Sequence, residues 1–167
     1  MALDPIAQTT CPIPLRLGAI RGDSIDVRLR LIDVATGRPI VLTGWAGEAR
    51  IWNSVNADIP IHVLTVVVDQ AAAAQPTTGM VTISAAPGAT TIWKLDGFWS
   101  LAMTSASVRK TIVAGPWSMA GPGGTPVGIV CGVCQVLPLE QLGSACVVAR
   151  DGYQDLLLPY PQSACAC

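Results

Sequence analysis

The chain has 167 residues, enough for one domain with a real core. Only 13% of them are charged and 51% are hydrophobic, where a soluble domain ordinarily carries roughly 25% charge. The formal net charge is −1 with no run of Lys or Arg, which argues against phosphate-driven nucleic-acid binding. The longest apolar stretch, Val127 to Leu137, is bounded by Pro126 and Pro138. It falls short of the roughly 20 residues of a membrane span.

A surface so poor in charge is either coated with Ser, Thr, Gln, Gly, Pro and Ala or buried against other subunits. Obligate interfaces are depleted in charge, which favours burial. Met1-Ala2-Leu3-Asp4-Pro5 carries no positive segment followed by an apolar one, so synthesis in a reducing cytoplasm is expected.

In chain order, residues 1–16 contain Pro5, Pro12 and Pro14 and read as an extended arm ordered by a neighbour. From Ser24 to Val34, Ile25, Val27, Leu29 and Leu31 alternate with Asp26, Arg28 and Arg30, the period of a half-buried strand. Ala35-Thr36-Gly37 supplies a turn, with Gly37 free to take positive φ, and Pro39 to Leu42 reads as the returning strand. Gly44 permits a tight turn into Trp45–Trp52, where Trp45, Ala49 and Ile51 share one side and Glu48 and Arg50 the other.

Ile59 to Asp69 is β-branched on both faces, as in a strand buried on two sides or lying in an interface. Ala71 to Pro76 is a possible helical turn limited by Pro76, Met80 to Ala85 a short strand, and Ala86 to Leu95 a loop or short turn. Gly97–Thr104 and Val108–Ala114 form a hairpin through Ser105-Ala106-Ser107. Gly121-Pro122-Gly123-Gly124 is a sharp connection, followed by strand candidates at Val127–Leu137, Ala145–Arg150 and Gln154–Leu158.

Short strands and turns without a sustained helical repeat predict an all-β fold, an antiparallel β-sandwich or partly open barrel. The organisation predicted is an N-terminal arm (1–16), a β-sandwich domain (17–118) and a Cys-rich C-terminal extension (119–167). The extension would dock on the first sheet or on a neighbouring subunit. Among the five tryptophans, Trp52 and Trp99 are expected in the core, with Trp45, Trp93 and Trp117 split between core and contact surface.

An ordered series of motifs carries a resemblance. Arg21-Gly22-Asp23-Ser24, Gly37-Arg38-Pro39-Ile40 and Leu42-Thr43-Gly44-Trp45 lead into Ala49-Arg50-Ile51-Trp52. Gly79-Met80-Val81-Thr82-Ile83, Phe98-Trp99-Ser100-Leu101 and Thr111-Ile112-Val113-Ala114-Gly115-Pro116-Trp117 follow. Over about residues 17–118 this order resembles small β-sandwich proteins of tailed phages and prophages, and the N-terminal domains of phage baseplate upper and tail-fibre proteins. The resemblance implies a non-enzymatic virion structural protein of the tail, baseplate or fibre-attachment region, made in the host cytoplasm. Its partners would be copies of itself and other virion proteins. A capsid cement or decoration protein fits the same composition, and a carbohydrate- or receptor-binding β-sandwich using exposed Trp45 or Trp93 is the alternative from another class.

Catalysis has little in its favour. The single histidine, His62, sits in a strand-like run and reads as a strand residue with a satisfied hydrogen bond, and Glu48 and Glu140 lie far apart in sequence. No nucleophile elbow, HExxH helix or Walker A loop is present, and no cofactor is expected. Arg21-Gly22-Asp23 leads into a strand and is read as structural. Cys131, Cys134, Cys165 and Cys167, with Cys146 as a substitute, form a set that could bind zinc. Buried free thiols and disulfides are the competing readings.

Overall fold

Alternation along each strand decides which side chains face inward, and the register between strands then decides how the sheet closes. The computed structural model describes residues 4–54, 56–91, 96–106, 108–120, 139–141 and 147–159, with backbone only at 120, 139–141 and 147–149. The strands are β1 (Ile13–Ile20), β2 (Ile25–Asp33), β3 (Arg38–Pro39), β4 (Ala46–Trp52), β5 (His62–Val68), β6 (Met80–Ala85), β7 (Asp96–Thr104), β8 (Arg109–Ala120), β9 (Leu139–Gln141), β10 (Val147–Ala149) and β11 (Gln154–Leu158). One helical turn, α1 (Pro87–Thr90), precedes β7.

The fold is all-β, a single sheet in the order β10-β11-β2-β6-β5-β4-β7-β8-β1-β9 that curls nearly into a barrel, with β3 paired to β2 off this path. Most neighbours are antiparallel, but β1 lies parallel to β8 and β11 parallel to β2, which modifies the purely antiparallel expectation. Both parallel pairs join segments far apart in sequence. Strands from the C-terminal part dock on the chain's own sheet, β9 on β1 and β11 on β2.

The interior is built as the alternation in β2 implies: Ile25, Val27, Leu29 and Leu31 are buried while Asp26 and Arg28 are exposed. On β4, Trp45 just before the strand, Ala49 and Ile51 are likewise buried. Gly37 and Gly44 turn the chain at φ +66° and +80°, a region that costs a side chain energy and glycine none. The predicted strand Pro39–Leu42 is shorter than expected, pairing only Arg38 and Pro39 with Asp33 and Ile32. The strand expected to end at Ala114 runs on as β8 to Ala120, because residues 113–120 gain β1 as a partner.

The N-terminal segment is folded rather than extended. The Asp4 carboxylate accepts a hydrogen bond from the Ile6 N–H at 2.9 Å, and the Gln8 N–H donates to the Asp4 carbonyl at 3.1 Å. This turn tucks Ile6, Thr9 and Cys11 into buried positions, and residues 13–16, expected at the end of the arm, are already strand β1. Cys11 is disulfide-bonded, and its partner lies outside the described residues.

Two tryptophans fix the curl. Trp99 on β7 stands opposite Gly115 on β8, and the indole N–H crosses it to donate to the Leu15 carbonyl on β1 at 2.9 Å. Trp117 on β8 stands opposite Gly97 on β7, and its indole N–H donates in the other direction to the Trp52 carbonyl on β4 at 2.9 Å. Neither glycine has room for a side chain. A Cβ on Gly115 would stand 2.0 Å from the Leu15 carbonyl oxygen, and one on Gly97 would stand 2.2 Å from the Trp52 oxygen and 2.3 Å from Trp117 Nε1.

Trp99 and Trp117 are fully buried and Trp45 nearly so, while Trp52 is only half-buried, its ring tilted 46° against Phe98 at 6.2 Å. The core expectation holds for Trp99 and fails for Trp52, which shares the outward parity of Glu48 and Arg50. Gly115→Ala is expected to destabilise by about 3 kcal/mol, because the obstructing atoms are backbone. Trp99→Phe, which strands a buried carbonyl, is expected to cost about 2 kcal/mol. Urea midpoints at unchanged slope measure both, and a shift within about 0.5 kcal/mol, as at an ordinary surface site, would contradict the packing described.

Candidate assembly surface

The outer side of the sheet is where the low charge of the chain becomes a spatial pattern. Strand β5 lies between β4 and β6. Its inward residues Leu64, Val66 and Val68 pack on the core, while Val63, Thr65 and Val67 point out. Val63 and Val67 are 53% and 59% exposed, so the expectation of a strand buried on both faces does not hold within one chain. Across β6 the same face continues with Thr82, opposite Val67, and Ser84, opposite Thr65. The result is a neutral Val/Thr/Ser strip about two strands wide, roughly 10 Å.

Charge flanks this strip on both sides and is largely paired within itself. On the β4 side Glu48 is held by Arg50 and by Arg109 at 3.2 Å. The Arg50 hydrogen bond, opposed by partial burial and helped by Arg109, keeps the Glu48 carboxyl below its ordinary range. On the β2 side Asp26 faces Arg28 at 3.7 Å.

Further along that side, Asp155 of β11 accepts two hydrogen bonds from Arg30, at 2.7 and 3.0 Å, and one from Arg150 at 2.8 Å. The Arg30 guanidinium also lies 4.9 Å from the centre of the Tyr153 ring, within cation–π range. Burial by itself would push the Asp155 carboxyl up, but the two arginines outweigh it and hold it below its usual value. This pair ties β11 to β2 at the register Asp155↔Arg30. Motif reading missed it, because the two residues are more than a hundred positions apart.

The other singled-out residues have structural places. His62 opens β5, half-buried and on the inward parity. Arg21-Gly22-Asp23 forms the turn between β1 and β2, where the Gly22 N–H donates to Thr90 Oγ1 at 3.0 Å and the Thr90 hydroxyl to the Asp23 carbonyl at 3.0 Å. Trp45 is buried and offers no stacking face to a sugar, and Trp93 lies outside the described residues. Cys131, Cys134, Cys146, Cys165 and Cys167 also lie outside them, as does the Gly121–Gly124 connection. Among the described residues no three His, Cys, Asp or Glu side chains converge as a metal site would require.

Open depressions mark the surface among the described residues. One of about 310 Å³ lies between the adjoining ends of β1 and β2, and one of about 610 Å³ lies beside Arg16, Asn53, Asp96, Phe98 and Trp117. No protein-family model matches the chain, and no curated protein matches it. Among the described residues no helix is long and apolar enough to cross a membrane.

The geometry of Asp155 sets a pH dependence. Its folded pKa lies below the ordinary 3.8, so the stability it adds is complete above that value and is lost as pH falls through the lower, folded one. The urea midpoint of the native chain is expected to drop between about pH 5 and about pH 2. Asp155→Asn, which leaves two arginines without their carboxylate, is expected to cost about 3 kcal/mol at neutral pH and to flatten that drop. Equal acid sensitivity in both proteins would show that other carboxylates carry it.

Proposed function

We propose that the protein is a non-enzymatic structural component of a tailed-phage virion. It would pack in the tail, baseplate or fibre-attachment region against copies of itself and neighbouring virion proteins. The observation that carries this reading is the neutral strip of Val63, Thr65, Val67, Thr82 and Ser84, lying between flanks whose charges are already paired. A surface of that kind buries apolar area at little desolvation cost, because few unpaired charges lose water. It does not attract phosphate or any strongly charged ligand. The exposed Ile59, Val34 and Val41 in the loops around the sheet add apolar area outside the strip.

The kind of assembly follows from the resemblance of residues 17–118 to phage β-sandwich modules. The described part of that segment forms the continuous body of the sheet, from β1 through β8. The role is passive: strand faces present shape and apolar area, and specificity comes from complementarity at the strip's charged borders. A capsid decoration protein would use the same strip on a different lattice. Binding to purified tails and to purified heads separates the two locations.

Val63→Lys together with Val67→Lys tests the reading. Both side chains are exposed, so folding stability is expected to change by less than about 0.5 kcal/mol per site. Oligomer mass in light scattering, or incorporation into particles, is expected to fall to the monomer or background level. A double variant that assembles as the native chain does would contradict the use of this strip.

A further inference from the structure

We propose that the depression beside Arg16, Asn53, Ser54, Asp96, Phe98 and Pro116 is a binding subsite for a neutral oligosaccharide. The inference is independent of the assembly reading, whose strip lies on β5 and β6.

Register builds the floor of the site. Trp52 stands opposite Phe98, and Phe98 opposite Pro116. On β1, Arg16 falls between the pairs Pro14↔Ala114 and Leu17↔Trp117, which sets it beside Pro116. All four are half-buried and share the outward parity of their strands, so they form one line across β4, β7, β8 and β1. Trp52, Phe98 and Pro116 make an apolar run two strand spacings long, roughly 10 Å, room for a disaccharide unit. The 46° tilt between the Trp52 and Phe98 rings keeps them from covering each other face to face. In the next row along the strands, Ser100 stands opposite Ala114, and side chains this small leave Phe98 and Pro116 uncovered on that side. Trp45, buried, offers a sugar no stacking face, and this outer row supplies one.

The polar groups around the row differ in kind. Asp96 presents only acceptors, Arg16 only donors, and Asn53 and Ser54 both. The two charges are of opposite sign and cancel. Asn53 Oδ1 is a buried acceptor that receives no hydrogen bond among the described residues, a state that costs free energy until a donor reaches it. Turned about its last, soft torsion, the carboxamide accepts from a hydroxyl seated in the depression. A pyranose is complementary to this arrangement, because its C–H faces are apolar and each hydroxyl on its rim both donates and accepts. An anionic ligand would meet the Asp96 carboxylate, and a cationic one the Arg16 guanidinium. The volume of about 610 Å³ lies within the range of small-molecule pockets.

The test is saturation-transfer difference NMR on the full chain with maltotriose, cellotriose, laminaritriose and triacetylchitotriose. Sialyllactose and a proline-rich peptide are run beside them as the charged sugar and the rival ligand of an aromatic groove. The expected result is transfer to the ring protons of at least one neutral trisaccharide. In Asp96→Ala, which removes a hydrogen bond to a charged acceptor, its affinity is expected to fall about tenfold. Asp96 is exposed, so that variant is expected to keep the native urea midpoint. Transfer to none of the neutral trisaccharides would overturn the proposal. So would transfer only to sialyllactose or to the peptide, or an unchanged affinity in Asp96→Ala.

Discussion

Two indole N–H groups, each passing over a glycine to reach a carbonyl two strands away, hold the curvature on which the rest of the molecule depends. Trp99 binds Leu15 across Gly115, and Trp117 binds Trp52 across Gly97. Each bond satisfies a buried donor and acceptor together, and such pairs cost most when only one partner remains. Between them they draw β1, β8, β7 and β4 into one bent layer. Bending lets β1 lie parallel to β8 with its own N-terminal segment folded beneath it, and brings the C-terminal strands to both ends of the sheet order. It also leaves β5, midway along that order, with one face outward.

Much of this could be read from local pattern. The period-two alternation in Ile25–Asp33 and Ala46–Trp52 reports real inward and outward faces, and Gln154–Leu158 is a strand with the predicted bounds. Where hydrophobicity and parity disagreed, parity was the better guide. Trp52 sits on the even positions of β4 with Glu48 and Arg50, and it ends half-buried. Val63 and Val67 sit on the odd positions of β5 and face out, although the run is apolar on both sides. The two parallel pairings, the Arg30–Asp155 tie and the folding of the arm join distant residues or rest on backbone geometry, and neither leaves a local signature. Gly97 and Gly115 were visible as glycines, but their role depends on which tryptophan stands opposite.

The proposed function rests on how few charges there are and how they are spent. Glu48 and Asp155 each hold two arginines, Asp26 lies 3.7 Å from Arg28, and the strip between them is neutral. A protein arranged this way has little electrostatic reach and a sheet face suited to close packing. That is the physical content of the proposal that it is an assembly component.

The most direct measurement is molar mass by light scattering across a concentration series, at low and at high salt. The account predicts a defined oligomer that persists or strengthens at high salt, since the contact is apolar and not screened. A monomer at every concentration in both salts would contradict it.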